Sequence, residues 1–140
     1  MYNQKTNDFD CQYKAAIHAL ASQIQEEAKE HRKKLESNIF LRDPVARQLA
    51  VSADAYITRR DSTGGKTIVA GYPFFADWGR DTMIAFSGLT LATKRYHEAE
   101  AILLTFAKYV HNGMVPNMFP DNGQDPLYNT VDGSLWYFYA

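Results

Sequence analysis

Very little in this sequence suits a metal ion, a nucleotide or an anionic polymer. A single cysteine, Cys11, in 140 residues rules out an internal disulfide and fits a reducing compartment. The four histidines, His18, His31, His97 and His111, are scattered without metal-ligand spacing and read as surface or packing residues. "DNGQD", with Asp121 and Asp125, offers oxygens but not the alternating acids and sixth-position glycine of a calcium loop. No glycine-rich phosphate motif is present, and no serine or cysteine stands out as a nucleophile. Fifteen Lys and Arg face sixteen Asp and Glu, so no basic field is available to a nucleic acid. No apolar run approaches the ~20 residues that span a bilayer. The N-terminal "MYNQKTNDFD" lacks the apolar stretch of a signal peptide. A soluble, cytoplasmic protein with no membrane partner is therefore expected.

What the chain does have is 46% hydrophobic and 14% aromatic residues, enough for a packed core and too much for a disordered segment. The spacing predicts a first helix from Asp10 to about Ser37, with a thin apolar stripe of Ile17, Leu20, Ile24, Ala28 and Leu35. Its other faces are charged, and Glu30 precedes Lys34 by one helical turn. Asp43 and Pro44 are a cap and a first-turn residue for a second helix, with Leu49, Ala53 and Tyr56 on one face. "YITRRDSTGGKTIVAG" reads as a β-hairpin turning at "DSTGG". "TMIAFSGLTLATKRY" predicts a helix buried on several sides. After a break near Arg95, Ala99, Ile102, Phe106 and Val110 mark an amphipathic helix stopped by Gly113. A proline-containing loop follows, and "TVDGSLWYFYA" opens another helix. An uncovered aromatic run at the end of the chain would face water, so the sequence is expected to be a fragment cut inside a larger domain.

Two clusters combine aromatic and charged residues. The first is "GYPFFADWGRD", residues 71–81. A sugar ring has apolar C–H faces that suit aromatic rings, and hydroxyls that suit Asp as a double acceptor and Arg as a forked donor. The same pattern also suits a buried aromatic cluster with Asp81 capping the next helix, and local pattern does not separate the two. The second is "PLYNTVDGSLWYF", in which Asp132 precedes Trp136 by four residues. A carboxyl held against an indole in a dry site can keep its proton and act as a general acid. The commoner pattern is Asn129 as helix cap with Asp132 in the first turn, where the helix dipole favours the carboxylate.

Taken together, "GYPxFxxWGRD", "GxxPNxFPD" and "YNTxDxSLW" resemble the amylo-α-1,6-glucosidase domain of bacterial and archaeal glycogen debranching enzymes. The resemblance spans residues 70–138 and extends back to about Asp43. It departs at Phe74, where the family often has Trp, and at Ser87, where Pro is common. The resemblance implies a mainly α fold, the N-terminal part of an (α/α)6 toroid with a short β-hairpin. Residues 1–42 would then be a linker helix and residues 43–140 an incomplete catalytic domain. It implies hydrolysis of α-1,6-linked glucose stubs on glycogen or a related α-glucan, with inversion, by two carboxyl groups and no cofactor. Asp132 would be the acid, and the base would lie beyond Ala140. Arg80 and Asp81 would grip glucose against Phe75 and Trp78, with Asn117, Tyr128, Asn129 and Trp136 in the pocket wall. This chain, holding only the acid half of the site, is expected to be inactive alone. Two other readings remain: a related glucoamylase-like enzyme acting on α-1,4 linkages, and a non-catalytic helical module that binds glucan.

Overall fold

Asp43 caps the helix that follows it. Its Oδ1 accepts from the Val45 and Ala46 amides at 2.7 and 3.2 Å, and Pro44 takes the first helical position, where a missing N–H costs nothing. The computed structural model describes residues 2–40, 43–120 and 124–140, with side chains from Tyr13 onward. Asp121 therefore lies outside the described residues. In chain order the elements are α1 (Tyr2–Asn38), α2 (Pro44–Asp54), β1 (Ile57–Arg60), β2 (Gly65–Ile68), α3 (Gly79–Phe86), a π turn (Ser87–Leu91), α4 (Tyr96–Lys108) and α5 (Gly133–Tyr139). The described residues are thus mainly helical, with one two-stranded antiparallel hairpin. None of their helices is long and apolar enough to cross a membrane.

Helix α1 departs from its expected form. It starts at Tyr2 rather than Asp10, and its apolar stripe is not buried: Ile17, Leu20 and Ile24 are each at least half exposed, and only Leu35 is covered. Its charged face pairs Glu26 with Lys29 and Arg32 with Glu36, instead of Glu30 with Lys34. The last turns hold α1 to α2. His31 Nε2 lies 2.8 Å from Asp54 Oδ2, and Arg32 Nη2 donates to Gln48 Oε1 at 3.3 Å. On α2 the buried residues are Ala50 and Ala53, while Leu49 is exposed.

Asp54 is the node of this corner. It also accepts from Arg95 Nη1 at 2.5 Å, and the buried Arg95 reaches Glu98 at 3.0 Å. Burial pushes the Asp54 carboxyl up, but hydrogen bonds and charge from His31 and Arg95 outweigh it and hold the group below its ordinary value of 3.8. A carboxyl depressed by folding contributes stability above its unfolded pKa and loses it as pH falls toward the folded one. Asp54→Asn should therefore cost stability at neutral pH, with the deficit shrinking below about pH 4. Urea titrations of both proteins at several pH values test this. A gap that stays constant from pH 6 to pH 3 would count against it.

The hairpin forms where turn residues interrupt β-branched ones. Ile57 pairs with Ile68 and Arg60 with Gly65, and Gly64 takes a φ of +68°, which suits glycine. Ile57 and Ile68 feed a core completed by Met83 and Phe86 of α3, Ala99, Ile102 and Phe106 of α4, and Val115 and Phe119 of the following loop. The helix expected from Thr82 to Tyr96 runs instead from Gly79 to Leu91. It loosens into the π turn after Phe86, and Ile84 and Leu91 remain exposed. Helix α4 ends at Lys108, short of the predicted Gly113, which instead sits in a tight turn closed by His111 and Met114. Val110 is accordingly exposed. Phe119 packs edge-on against Phe106 and Tyr109 with ring centroids at 5.2 and 5.0 Å, which anchors the loop to the C-terminal end of α4.

Candidate active site

Three loop segments, around residues 78, 118 and 127, lie side by side. Met118 bridges Trp78 on one flank and Leu127 on the other, like the middle strand of a very short sheet. The backbone bonds are tight. Gly79 N donates to Asn117 O at 2.7 Å, Asn117 N to Leu127 O at 2.7 Å, and Leu127 N to Met118 O at 2.9 Å. The side chain of Asn117 repeats the pattern. Its Oδ1 accepts from the Arg80 amide at 3.1 Å, and its Nδ2 donates to Asn129 Oδ1 at 2.9 Å. One buried asparagine thus binds all three segments, using main chain and side chain together.

The close approach requires Gly79. A Cβ there would stand 2.2 Å from the Pro116 carbonyl oxygen, 3.2 Å from Asn117 Cα and 3.1 Å from Phe106 Cε1. Helix α3 begins at this glycine, with Trp78 as its extended N-cap residue and no side-chain cap. Asp81 is therefore not the cap that one reading of the sequence expected. It sits within the first turn, on the surface, where its charge complements the helix dipole.

Arg80, one residue away, turns toward the third segment. Its Nε lies 3.0 Å from Asp132 Oδ2, with both side chains about half exposed. Asp132 is the N-cap residue of α5 but makes no side-chain cap bond, because its carboxylate is used by Arg80. Its carbonyl accepts from the Trp136 amide at 3.0 Å, so the expected one-turn spacing between Asp132 and Trp136 holds. Asn129, the alternative cap, lies ahead of the helix and serves Asn117 instead. Helix α5 is fastened from both ends: Ser134 Oγ accepts from Val115 N at 2.9 Å, and Tyr137 Oη donates to Leu103 O at 3.0 Å. Burial pushes the Tyr137 hydroxyl above its ordinary value, which keeps it a donor.

The remaining predicted site residues divide by environment. Trp78 is half-buried and Phe75 exposed, on a tight turn in which Phe75 N returns to Gly71 O at 2.9 Å. Trp136 is partly buried against the core. Tyr128 donates its hydroxyl to Tyr109 O at 2.6 Å, tying the third segment to the same helix end that holds Phe119. Asp81 lines a depression of about 370 Å³ with Tyr56, Ala70, Ile84 and Leu89, a set that does not contain Asp132. Arg80 and Asp132 thus meet directly, Asn117 and Asn129 lie beside them, and Asp81 opens onto a neighbouring surface. Among the described residues no three His, Cys, Asp or Glu side chains converge as metal ligands do.

Sequence reasoning passes over the support beneath this site. Asp77, immediately before Trp78, is almost fully buried and accepts from Thr67 Oγ1 at 2.7 Å and from Arg60 Nη1. Arg60 Nη2 also donates to the Phe119 carbonyl. Neither Arg60 nor Thr67 lies in a recognisable motif, and their partner is set by tertiary folding, so no local signal marks them.

Comparison with known proteins places the chain among sugar-hydrolase sequences. A family model described as Amylo-alpha-1,6-glucosidase matches residues 51–140. A glycogen debranching enzyme of Saccharomyces cerevisiae is 40% identical over 77 residues, covering 51% of this chain and 5% of the relative. The chain therefore corresponds to a small part of that relative's length. No solved structure matches.

Proposed function

The chain belongs to the amylo-α-1,6-glucosidase family, and from that premise we propose that the Arg80–Asp132 corner is half of a glycosidase site that hydrolyses α-1,6-linked glucose from an α-glucan. The observation that carries this reading is the 3.0 Å contact between side chains 52 positions apart, beside an aromatic loop. Trp78 and Phe75 offer faces for the C–H surface of a terminal glucose. Arg80 offers guanidinium donors and Asp81 carboxylate acceptors to its hydroxyls.

Asp132 is the general acid in this scheme. The bond between the anomeric carbon and O6 of the branch-point glucose breaks, and the Asp132 proton passes to O6. Water attacks the anomeric carbon from the opposite face and gives its proton to a second carboxylate. Inversion places the two carboxyls about 6.5–9.5 Å apart, with the water between the base and the sugar. The acid step needs a proton on Asp132, so the Arg80 contact opens as glucose enters and the guanidinium moves to the sugar. The base comes from chain outside these 140 residues, and the substrate is the α-glucan of a debranching reaction.

The test is a linkage and anomer experiment on a polypeptide carrying this segment within a complete catalytic domain. Isomaltose-type ends should be cleaved in preference to maltose-type ends, and proton NMR should show β-glucose as the first product. Preference for maltose-type ends would favour the glucoamylase-like reading, and α-glucose as first product would exclude inversion.

A further inference from the structure

The buried group beneath the site has its own role. We propose that Asp77, clamped by Arg60 and Thr67 of the hairpin, is a positioning residue that sets Trp78 and Arg80 against Asp132. What the placed side chains do to a sugar rests on the glycosidase reading; the positioning itself does not.

Asp77 is 2% exposed and Arg60 8%, and the two form a buried ion pair. Thr67 Oγ1 takes the second carboxylate oxygen at 2.7 Å, and Arg60 Nε donates to Ser62 Oγ at 2.8 Å. A buried pair of this kind often adds little stability compared with apolar residues of the same volume. Its value here lies in direction. One guanidinium reaches the carboxylate in the first loop segment and the Phe119 carbonyl in the second. Trp78 follows Asp77 directly in extended conformation, and α3 starts at the next residue. The hairpin therefore fixes the exit direction of α3, and with it the side of the helix on which Arg80 emerges. Asn117 holds the same turn independently, through the Gly79 and Arg80 amides. Between these two clamps the position of Arg80 Nε relative to Asp132 is set by buried groups, although both members of the pair are half exposed.

Hydrogen exchange of the Arg80 side chain tests this in the 140-residue chain. The Arg80 Nε–H resonance, assigned by its loss in Arg80→Lys, should be protected in the wild-type chain by Asp132. Asp77→Asn should speed its exchange by about tenfold or more, while the amides of Ile102 and Phe106 keep their protection. Unchanged Arg80 exchange in a folded Asp77→Asn chain would overturn the proposal. If Asp77→Asn unfolds, Thr67→Val decides, since it removes one hydrogen bond and leaves the ion pair. Faster Arg80 exchange with an intact core supports positioning, and unchanged exchange overturns it. Isomaltose hydrolysis by a complete catalytic domain carrying this segment separates the two readings. No cleavage of isomaltose there, alongside a positive exchange result, would count against the glycosidase assignment and leave the positioning role standing.

Discussion

Asp132→Asn is expected to lower hydrolysis of α-1,6-linked glucose by about 10²- to 10⁴-fold in a complete catalytic domain carrying this segment, while glucan binding persists. Asparagine keeps the size of the side chain and an oxygen that Arg80 Nε can still reach. It cannot deliver a proton, so O6 would have to leave as an alkoxide. That attribution has its own check. Glucosyl fluoride, whose leaving group needs little protonation, should retain most of its turnover in the same variant. A variant that loses both substrates equally has lost its geometry, not its acid. Near-wild-type hydrolysis of the α-1,6 substrate would remove Asp132 from the mechanism altogether.

Gly79→Ala is expected to produce the largest loss of stability, about 3 kcal/mol or more, at the upper end of what overpacking costs. The obstacle is main chain. The added methyl would stand 2.2 Å from the Pro116 carbonyl oxygen, and a peptide unit cannot rotate aside as a flexible side-chain end can. Relief would require the first two segments to separate. Separation would break the 2.7 Å bond from Gly79 N to Asn117 O and loosen the Arg80 amide from the Asn117 side chain. Urea denaturation should show a midpoint well below wild type. Gly88→Ala is the control: a Cβ at Gly88, in the π turn, meets nothing within 4 Å, and the change should stay within about 1 kcal/mol. Equal costs at the two positions would mean that the close approach at Gly79 is not what the glycine serves.

Features set by neighbours in sequence are legible in the sequence itself. The Asp43 cap, the Pro44 start, the hairpin turn and the buried face of α4 all depend on residues a few positions apart. Helix ends are less legible, because tertiary contacts move them. Trp78 precedes α3 in extended form with the next amide bonded to Asn117, and Asp132 precedes α5 with its carboxylate on Arg80 instead of on the helix amides. The α1 stripe shows the opposite limit. Ile17, Leu20 and Ile24 have helical spacing, but spacing states which residues share a face and not whether anything covers it. The site itself is half legible. Motif and residue type mark Arg80 and Asp132 as separate candidates, but not their meeting. Asp77 stays hidden because an acid among aromatics looks the same whether its arginine lies across a buried hairpin or nowhere.

Asn117 has an evolutionary corollary. Its main chain and side chain serve partners in two other segments, so none of the three can drift alone. A replacement tolerated at Asn129 in one background should fail in another where the Gly79 approach has already been altered. Substitutions across these segments should therefore be epistatic, and lineages that leave this arrangement would have to change several positions at once.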